Sequence, residues 1–176
     1  MGLITQNNTG TQAFANGYID VAYADAYFTA LNKPDGDWVD LDDEVKEAAI
    51  ISATSHIDNS NMGRFKGNRL TEAQNTQFPR VGLLDFDGYL VTGIPELLMR
   101  ATAEYAIRAS VEALTPDPTY EDSGFPIKQK KEKVGPIEES TTYQDNVFAP
   151  VVLRAYPEAD MLLRQYLFAA NFLVRG

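Results

Sequence analysis

Apolar residues recur at helical spacing in four stretches of the chain. Over Val21 to Leu31, the positions Ala24, Tyr27, Phe28 and Leu31 fall at i, i+3, i+4 and i+7, which predicts a helix with one apolar face. Asp20 precedes it as an N-cap, and Asn32-Lys33-Pro34-Asp35-Gly36-Asp37 ends it with breaker residues. A second helix is predicted from about Asp42 to Ile57, with Ile50, Ala53, Thr54 and Ile57 on its buried stripe. The carboxylates of Asp40-Leu41-Asp42-Asp43-Glu44 then face the positive end of its dipole. A third helix begins with Pro95 at its first position, runs through Leu97, Leu98, Ala101 and Tyr105, and ends near Leu114 before Thr115-Pro116-Asp117-Pro118. Its small face (Ala101, Ala103, Ala106, Ala109) suits it to the centre of a bundle. A fourth helix is expected from about Glu158 to Leu173, and Met161, Leu162, Tyr166, Leu167, Phe168, Phe172 and Leu173 give it more apolar surface than one buried face needs. Either a partner surface or deep burial accounts for the excess.

Between the second and third helices lies a connection of roughly thirty residues, where 2 to 8 is usual. It carries Phe65-Lys66-Gly67-Asn68-Arg69, Gln77-Phe78-Pro79-Arg80-Val81-Gly82, Asp87-Gly88 and Ile94-Pro95. Phe65 and Phe78 are expected to pin it to the core, and Val81 to Leu84 is expected to pair with Tyr89 to Val91 across a turn at Gly88. Farther on, Ile127 to Val134 and Ile137 to Tyr143 read as two strands around Gly135-Pro136. Residues 1–17 are polar, lack periodicity and read as a flexible arm anchored only by Phe14. The predicted fold is therefore mainly α: a small bundle of about four helices with a long central loop and a projecting β-ribbon. One domain is expected overall, made of the arm (1–17), a helical core (18–115, loop 58–95), and the ribbon with a C-terminal docking helix (116–176).

Composition narrows the chemistry. The 176 residues include no cysteine, so disulfides, thiolate metal sites and cysteine nucleophiles are excluded. The first residues carry neither a basic region nor a long apolar run, and no secretory signal is expected. Fifteen Lys and Arg stand against 25 Asp and Glu, a net charge of −10, which disfavours holding nucleic acid unless a local basic patch overrides the average. His56 is the single histidine, and with no partner residues at triad spacing it reads as structural. Asp35-Gly36-Asp37-Trp38-Val39 begins like a calcium loop but has Val39 at the fifth position, and Gly63-Arg64-Phe65-Lys66-Gly67 lacks the ending of a phosphate loop. No enzyme, metal or cofactor is expected. Lys128, Lys130, Lys131 and Lys133 form the one basic cluster, with a solvated strand edge or contact with an acidic neighbour or DNA as its two readings.

The order and spacing of several pieces carry a resemblance. They are Ala26-Tyr27-Phe28, Trp38, Lys46 to Ile50, Ala53-Thr54, Ile57-Asp58, the two loop motifs above, Asp87-Gly88-Tyr89, Ile94-Pro95, Ala101 to Ala106, and Lys131-Glu132-Lys133-Val134-Gly135-Pro136-Ile137. Together they resemble a family of tailed-phage proteins, often labelled "DnaT-like", that is associated with head–tail adaptors. Phe78 departs from the family's tryptophan before Pro-Arg, and the polar arm is longer. The resemblance implies a structural virion protein in the neck, present in host cytoplasm during assembly. It would form a homo-dodecameric ring between a portal protein and a neck or tail protein, with genomic DNA passing through a channel unheld. Phe65, Lys66, Arg69, Phe78, Arg80, Lys128, Lys130, Lys131 and Lys133 are then candidates for subunit or neck contacts, and Leu167, Phe168, Phe172, Leu173 and Val174 for portal docking. The family's label implies the rival reading, a single-stranded-DNA-binding replication protein, for which Phe65, Lys66, Arg69, Phe78 and Arg80 supply the basic and aromatic residues. Net acidity favours the adaptor.

Overall fold

The computed structural model describes residues 2–31, 38–115, 129–134, 137–142 and 155–168. In chain order the elements are α1 (Val21–Leu31), α2 (Asp43–Ser60), β1 (Asn68–Arg69), β2 (Arg80–Val81), β3 (Leu83–Leu84), β4 (Leu90–Val91), α3 (Glu96–Ala109), β5 (Gln129–Val134), β6 (Ile137–Thr142) and α4 (Pro157–Leu163). A 3-10 turn over Arg164–Tyr166 continues α4. The protein is mainly α, with short antiparallel β pairs: β1 with β2, β3 with β4, and β5 with β6. Two compact units divide it, Met1–Leu114 with Ala155–Gly176, and Thr115–Arg154.

In the first unit, α3 packs against α1, α2 and α4. Ala101, Ala103 and Ala106 are fully buried, and their small side chains let the neighbouring helices close in. Ile50, Ala53, Thr54 and Ile57 form the buried face of α2, as their spacing predicts. Trp38 is fully buried over α1, where its indole N–H donates to Asp25 Oδ1 at 2.8 Å. Asp20 caps α1 by accepting the Tyr23 N–H at 2.8 Å. α2 runs to Ser60, and Asn61 closes it by donating from its side chain to the Ile57 carbonyl at 3.1 Å.

Three boundaries differ from expectation. Pro95 is the N-cap of α3 in extended backbone, one position before the helix. α3 stops at Ala109 rather than near Leu114, because the Val111 N–H turns tightly onto the Arg108 carbonyl. α4 is short, because at Leu167 the backbone becomes extended and bridges Phe65 in antiparallel fashion. The Lys66 N–H donates to the Tyr166 carbonyl and the Phe168 N–H to the Arg64 carbonyl, so pairing with a distant strand replaces further helical turns.

The N-terminal residues are folded, contrary to the expected flexible arm. Thr5 and Gly17 form a parallel bridge, and Asn16 accepts the Ile4 N–H at 2.7 Å. Gln6 donates to Thr76 Oγ1 at 3.1 Å, Asn8 accepts the Ile94 N–H at 2.8 Å, and Thr71 donates to the Gly10 carbonyl at 3.1 Å. The Asn, Gln and Thr side chains that make this stretch look like a loop stitch it to residues 71–94. Phe14 is no anchor: it is exposed, with a positive φ of 57°.

In the second unit, β5 and β6 form a hairpin in register from Gln129↔Thr142 to Val134↔Ile137. The expected ribbon is present over these residues.

Candidate functional site

The long connection folds around four aromatic rings and one guanidinium. Phe78 is fully buried, edge-on to Phe65, Tyr18 and Tyr166 with ring centroids 5.1, 6.1 and 5.9 Å away. Arg80 lies over the Phe65 and Phe78 rings at 5.6 and 5.9 Å. Its Nε donates to the Lys66 carbonyl at 2.8 Å, and its Nη2 to the Gly67 carbonyl at 2.7 Å and the Phe65 carbonyl at 3.5 Å. Its Nη1 donates to the Gln77 carbonyl at 3.0 Å and to Gln77 Oε1 at 3.2 Å. Gly67 is required where it stands: φ is +66°, and an added Cβ would lie 2.4 Å from the Val81 carbonyl oxygen.

Behind these groups, Tyr18 donates its hydroxyl to Asp58 Oδ1 and accepts the Gln77 and Phe78 N–H groups, while Asp58 Oδ2 also accepts from Gln77 N at 3.1 Å. Burial pushes the Asp58 carboxyl up to about 6, held back by the hydrogen bonds from Tyr18 and Gln77 and by the charge of Arg80. Burial, and then the charge of Asp58, raise the Tyr18 hydroxyl well above its ordinary value.

The outer side of the same segment is cationic and aromatic. The Lys66 ammonium donates to the Gln165 carbonyl at 2.8 Å and lies 5.3 Å over the Phe86 ring. Phe86 and Tyr89 occupy the tip of the β3–β4 hairpin, 70% and 72% exposed. Asp85 builds that tip by accepting the Asp87 and Tyr89 N–H groups at 3.0 and 2.8 Å, and Gly88 takes φ +85°. Across the Phe65–Leu167 bridge, exposed Arg64 stands opposite exposed Phe168, and the exposed Arg164 begins the turn that leads there. Arg69, on β1, is exposed and donates to the Gln74 carbonyl at 2.8 Å. Four cations (Arg64, Lys66, Arg69, Arg164) and three exposed rings (Phe86, Tyr89, Phe168) thus lie on the long connection and the segment bridged to it, with Lys66 and Phe86 in contact.

The predicted contact residues divide on this map. Arg69 is exposed, and Lys66 is half-buried with its ammonium between the Gln165 carbonyl and the Phe86 ring. Phe65, Phe78 and Arg80 are interior, so none of the three offers a surface to a neighbouring subunit or a nucleic acid; ring packing and saturated hydrogen bonding hold them inside. Lys130, Lys131 and Lys133 sit on β5, opposite Thr141, Ser140 and Glu138. Lys128, Phe172, Leu173 and Val174 lie outside the described residues. Of the expected docking residues, Phe168 is exposed and Leu167 is partly buried against the core, and neither is helical. Sequence reasoning missed Phe86, Tyr89, Arg64 and Arg164. The signal for the first two was present: aromatic residues inside Asp85-Phe86-Asp87-Gly88-Tyr89, a turn whose chemistry calls for small polar groups. His56 packs its ring against Tyr105 and Tyr156 at 5.0 and 5.9 Å, and burial lowers its pKa. Among the described residues no group of three or more His, Asp and Glu is placed to hold a metal ion, and no helix is long and apolar enough to cross a membrane.

These features define a small, mainly α protein in which the connection between α2 and α3 carries cations and exposed rings beside a buried aromatic knot. The family model described as "Putative DnaT-like ssDNA binding protein" matches residues 1–176, and the chain belongs to that family. No curated protein and no solved structure matches it. The match overturns the head–tail adaptor expectation, with its portal and neck or tail partners, its ring, and its DNA passing unheld. That expectation leaned on whole-chain charge, which does not show where along the chain the charges sit. The carboxylates of Asp40 to Glu44 gather at the start of α2, whereas Arg64, Lys66 and Arg69 follow its end.

Proposed function

We propose that the protein binds single-stranded DNA on the patch formed by Arg64, Lys66, Arg69 and Arg164 with Phe86, Tyr89 and Phe168. The observation that carries the reading is Lys66 held 5.3 Å over the exposed ring of Phe86, a phosphate-binding charge beside a stacking surface. Single strands are held by this combination: cations follow the backbone while unpaired bases stack on aromatic faces. Family membership supports the same reading.

Net acidity does not oppose it. The 18 residues of α2 span about 27 Å at 1.5 Å per residue. Its acidic start is therefore several Debye lengths, of about 8 Å each at physiological salt, from the cations beyond its end. Asp85 and Asp87 do lie on the hairpin tip. They direct phosphates toward the Arg64–Arg69 side and leave bases for the rings. No covalent chemistry is part of the reading: the protein acts as a binding module.

Anisotropy of a fluorescent oligothymidylate at low salt tests it. The wild-type chain binds, and Phe86→Ala and Tyr89→Ala each weaken binding by about 1–3 kcal/mol, roughly 5- to 150-fold, without changing thermal stability. Absence of binding by the wild-type chain, or unchanged affinity in the Phe86→Ala/Tyr89→Ala double variant, overturns the assignment.

A further inference from the structure

The reading just given leaves Arg80 unexplained, although it is the cation most deeply set in the loop. Its guanidinium has five N–H groups, and all five are occupied within the chain. One reaches the Lys66 carbonyl at 2.8 Å, two reach the carbonyls of Gly67 at 2.7 Å and Phe65 at a longer 3.5 Å, and two reach Gln77 at 3.0 and 3.2 Å. Rings of Phe65 and Phe78 lie within 6 Å of its central carbon. No donor remains for a phosphate, and the residue is only 9% exposed.

The carbonyls it gathers are informative. Phe65, Lys66 and Gly67 are consecutive and include the backbone that carries Lys66. Drawing these carbonyls inward onto one planar fork fixes the path of that backbone between two other constraints. On one side the Lys66 N–H pairs with the Tyr166 carbonyl at 2.9 Å. On the other, Gly67 turns with φ +66° against the Val81 carbonyl. Asp58 supplies interior negative charge that acts on Arg80 and also accepts the N–H of Gln77, the residue on the far side of the fork.

Resting on the single-strand reading, we infer that Arg80 is a positioning residue of that site: it sets the backbone of Lys66 so that the ammonium stands over Phe86, and it does not itself touch the ligand. Lysine cannot replace it, because an ammonium is a point donor with three N–H groups and cannot span carbonyls on two sides of a plane.

Two measurements test this. In the first, oligothymidylate binding is compared for wild type, Lys66→Ala, Arg80→Lys and the double variant, each shown to be folded by its thermal melt. Both single variants bind roughly five- to tenfold more weakly, and the slope of log affinity against log salt shrinks by about 0.7 in each, the value of one phosphate contact on a single strand. The double variant is no weaker than the weaker single one, since both changes remove the same contact. A purely structural Arg80 would lower the melting temperature but leave the salt slope intact.

The second measurement uses only the wild-type chain, so it stands even if Arg80→Lys fails to fold. After phenylglyoxal labelling and mass spectrometry, Arg64 and Arg69 react when free and are protected by oligothymidylate, whereas Arg80 is unreactive in both states. Reaction of Arg80 in the free protein with protection by the oligonucleotide would make it a direct contact and overturn the inference. Wild-type binding with additive losses in the double variant, or with full affinity in Arg80→Lys, overturns it alone. Absence of wild-type binding overturns the single-strand reading and this inference together.

Discussion

Asp58 is buried enough that its carboxyl is pushed up to about 6. In the unfolded chain it would titrate near its ordinary value of about 3.9. Between these values the native state holds a proton that the unfolded state has released, so stability falls as pH rises through this window. The contribution is fully present below about 4 and is lost as pH rises through about 6. A shift of about two units corresponds to at most about 3 kcal/mol. Asp58→Asn should flatten the rise in urea midpoint between pH 7 and pH 5 relative to wild type. It should also lower stability at both pH values, since Tyr18 and Gln77 donate to different oxygens of Asp58 and an NH2 donor would replace one of them. A wild-type midpoint that falls across the same interval, with the same slope in the variant, would remove Asp58 as the cause. None of this was legible in the sequence, where Asp58-Asn59-Ser60-Asn61 reads only as a helix stop. The partners of Asp58 are Tyr18 and Gln77, 40 and 19 residues away, and pairings at that distance leave no periodic trace.

At the level of elements, helices were legible and their ends less so. Periodicity places α1, α2 and α3 because an apolar stripe on one face is a local pattern. It overextends the last helix, because Leu167 and Phe168 are claimed by pairing with Arg64 to Lys66, a contact about a hundred residues away in sequence. The loop's aromatic anchors were legible for the same reason the helices were: large apolar residues among polar ones must be buried somewhere. What they left ambiguous was whether Arg80 and Lys66 face in or out, and the carbonyl arrangement around Arg80 separates the two. The N-terminal stretch was misread through its polarity. Deleting residues 2–12 removes the bonds to Thr76, Ile94 and Thr71 and exposes Gln74 and Thr76, both nearly buried. Three such bonds, at about 0.5–1.5 kcal/mol each, should lower unfolding stability by about 2–4 kcal/mol in urea titration. An unchanged midpoint would restore the arm as a dispensable tail.

At the level of the whole molecule, the number of cations in the proposed site sets how binding should respond to ionic strength. At most the four cations of the proposed site can each neutralise one phosphate, so log affinity should fall with log salt with a slope no steeper than about −3. A steeper slope measured by titration at several salt concentrations would mean that cations outside the patch take part. Stacking on the exposed rings survives added salt, so a residual affinity should persist where a purely electrostatic binder has let go. Net charge of −10 keeps the remaining surface from holding nucleic acid without order.

The stitching of the first residues to residues 71–94 has a consequence for how the chain is made. During synthesis Gln6, Asn8 and Gly10 leave the ribosome ahead of their partners, which emerge only after some sixty to ninety more residues have been added. The early residues must wait unpaired while α1 and α2 form. The strap therefore closes late and, by the same logic, is among the first parts to open. The loop that carries Lys66 and Phe86 thus acquires its final shape only when Gln6, Asn8 and Gly10, made well before it, return to clasp it.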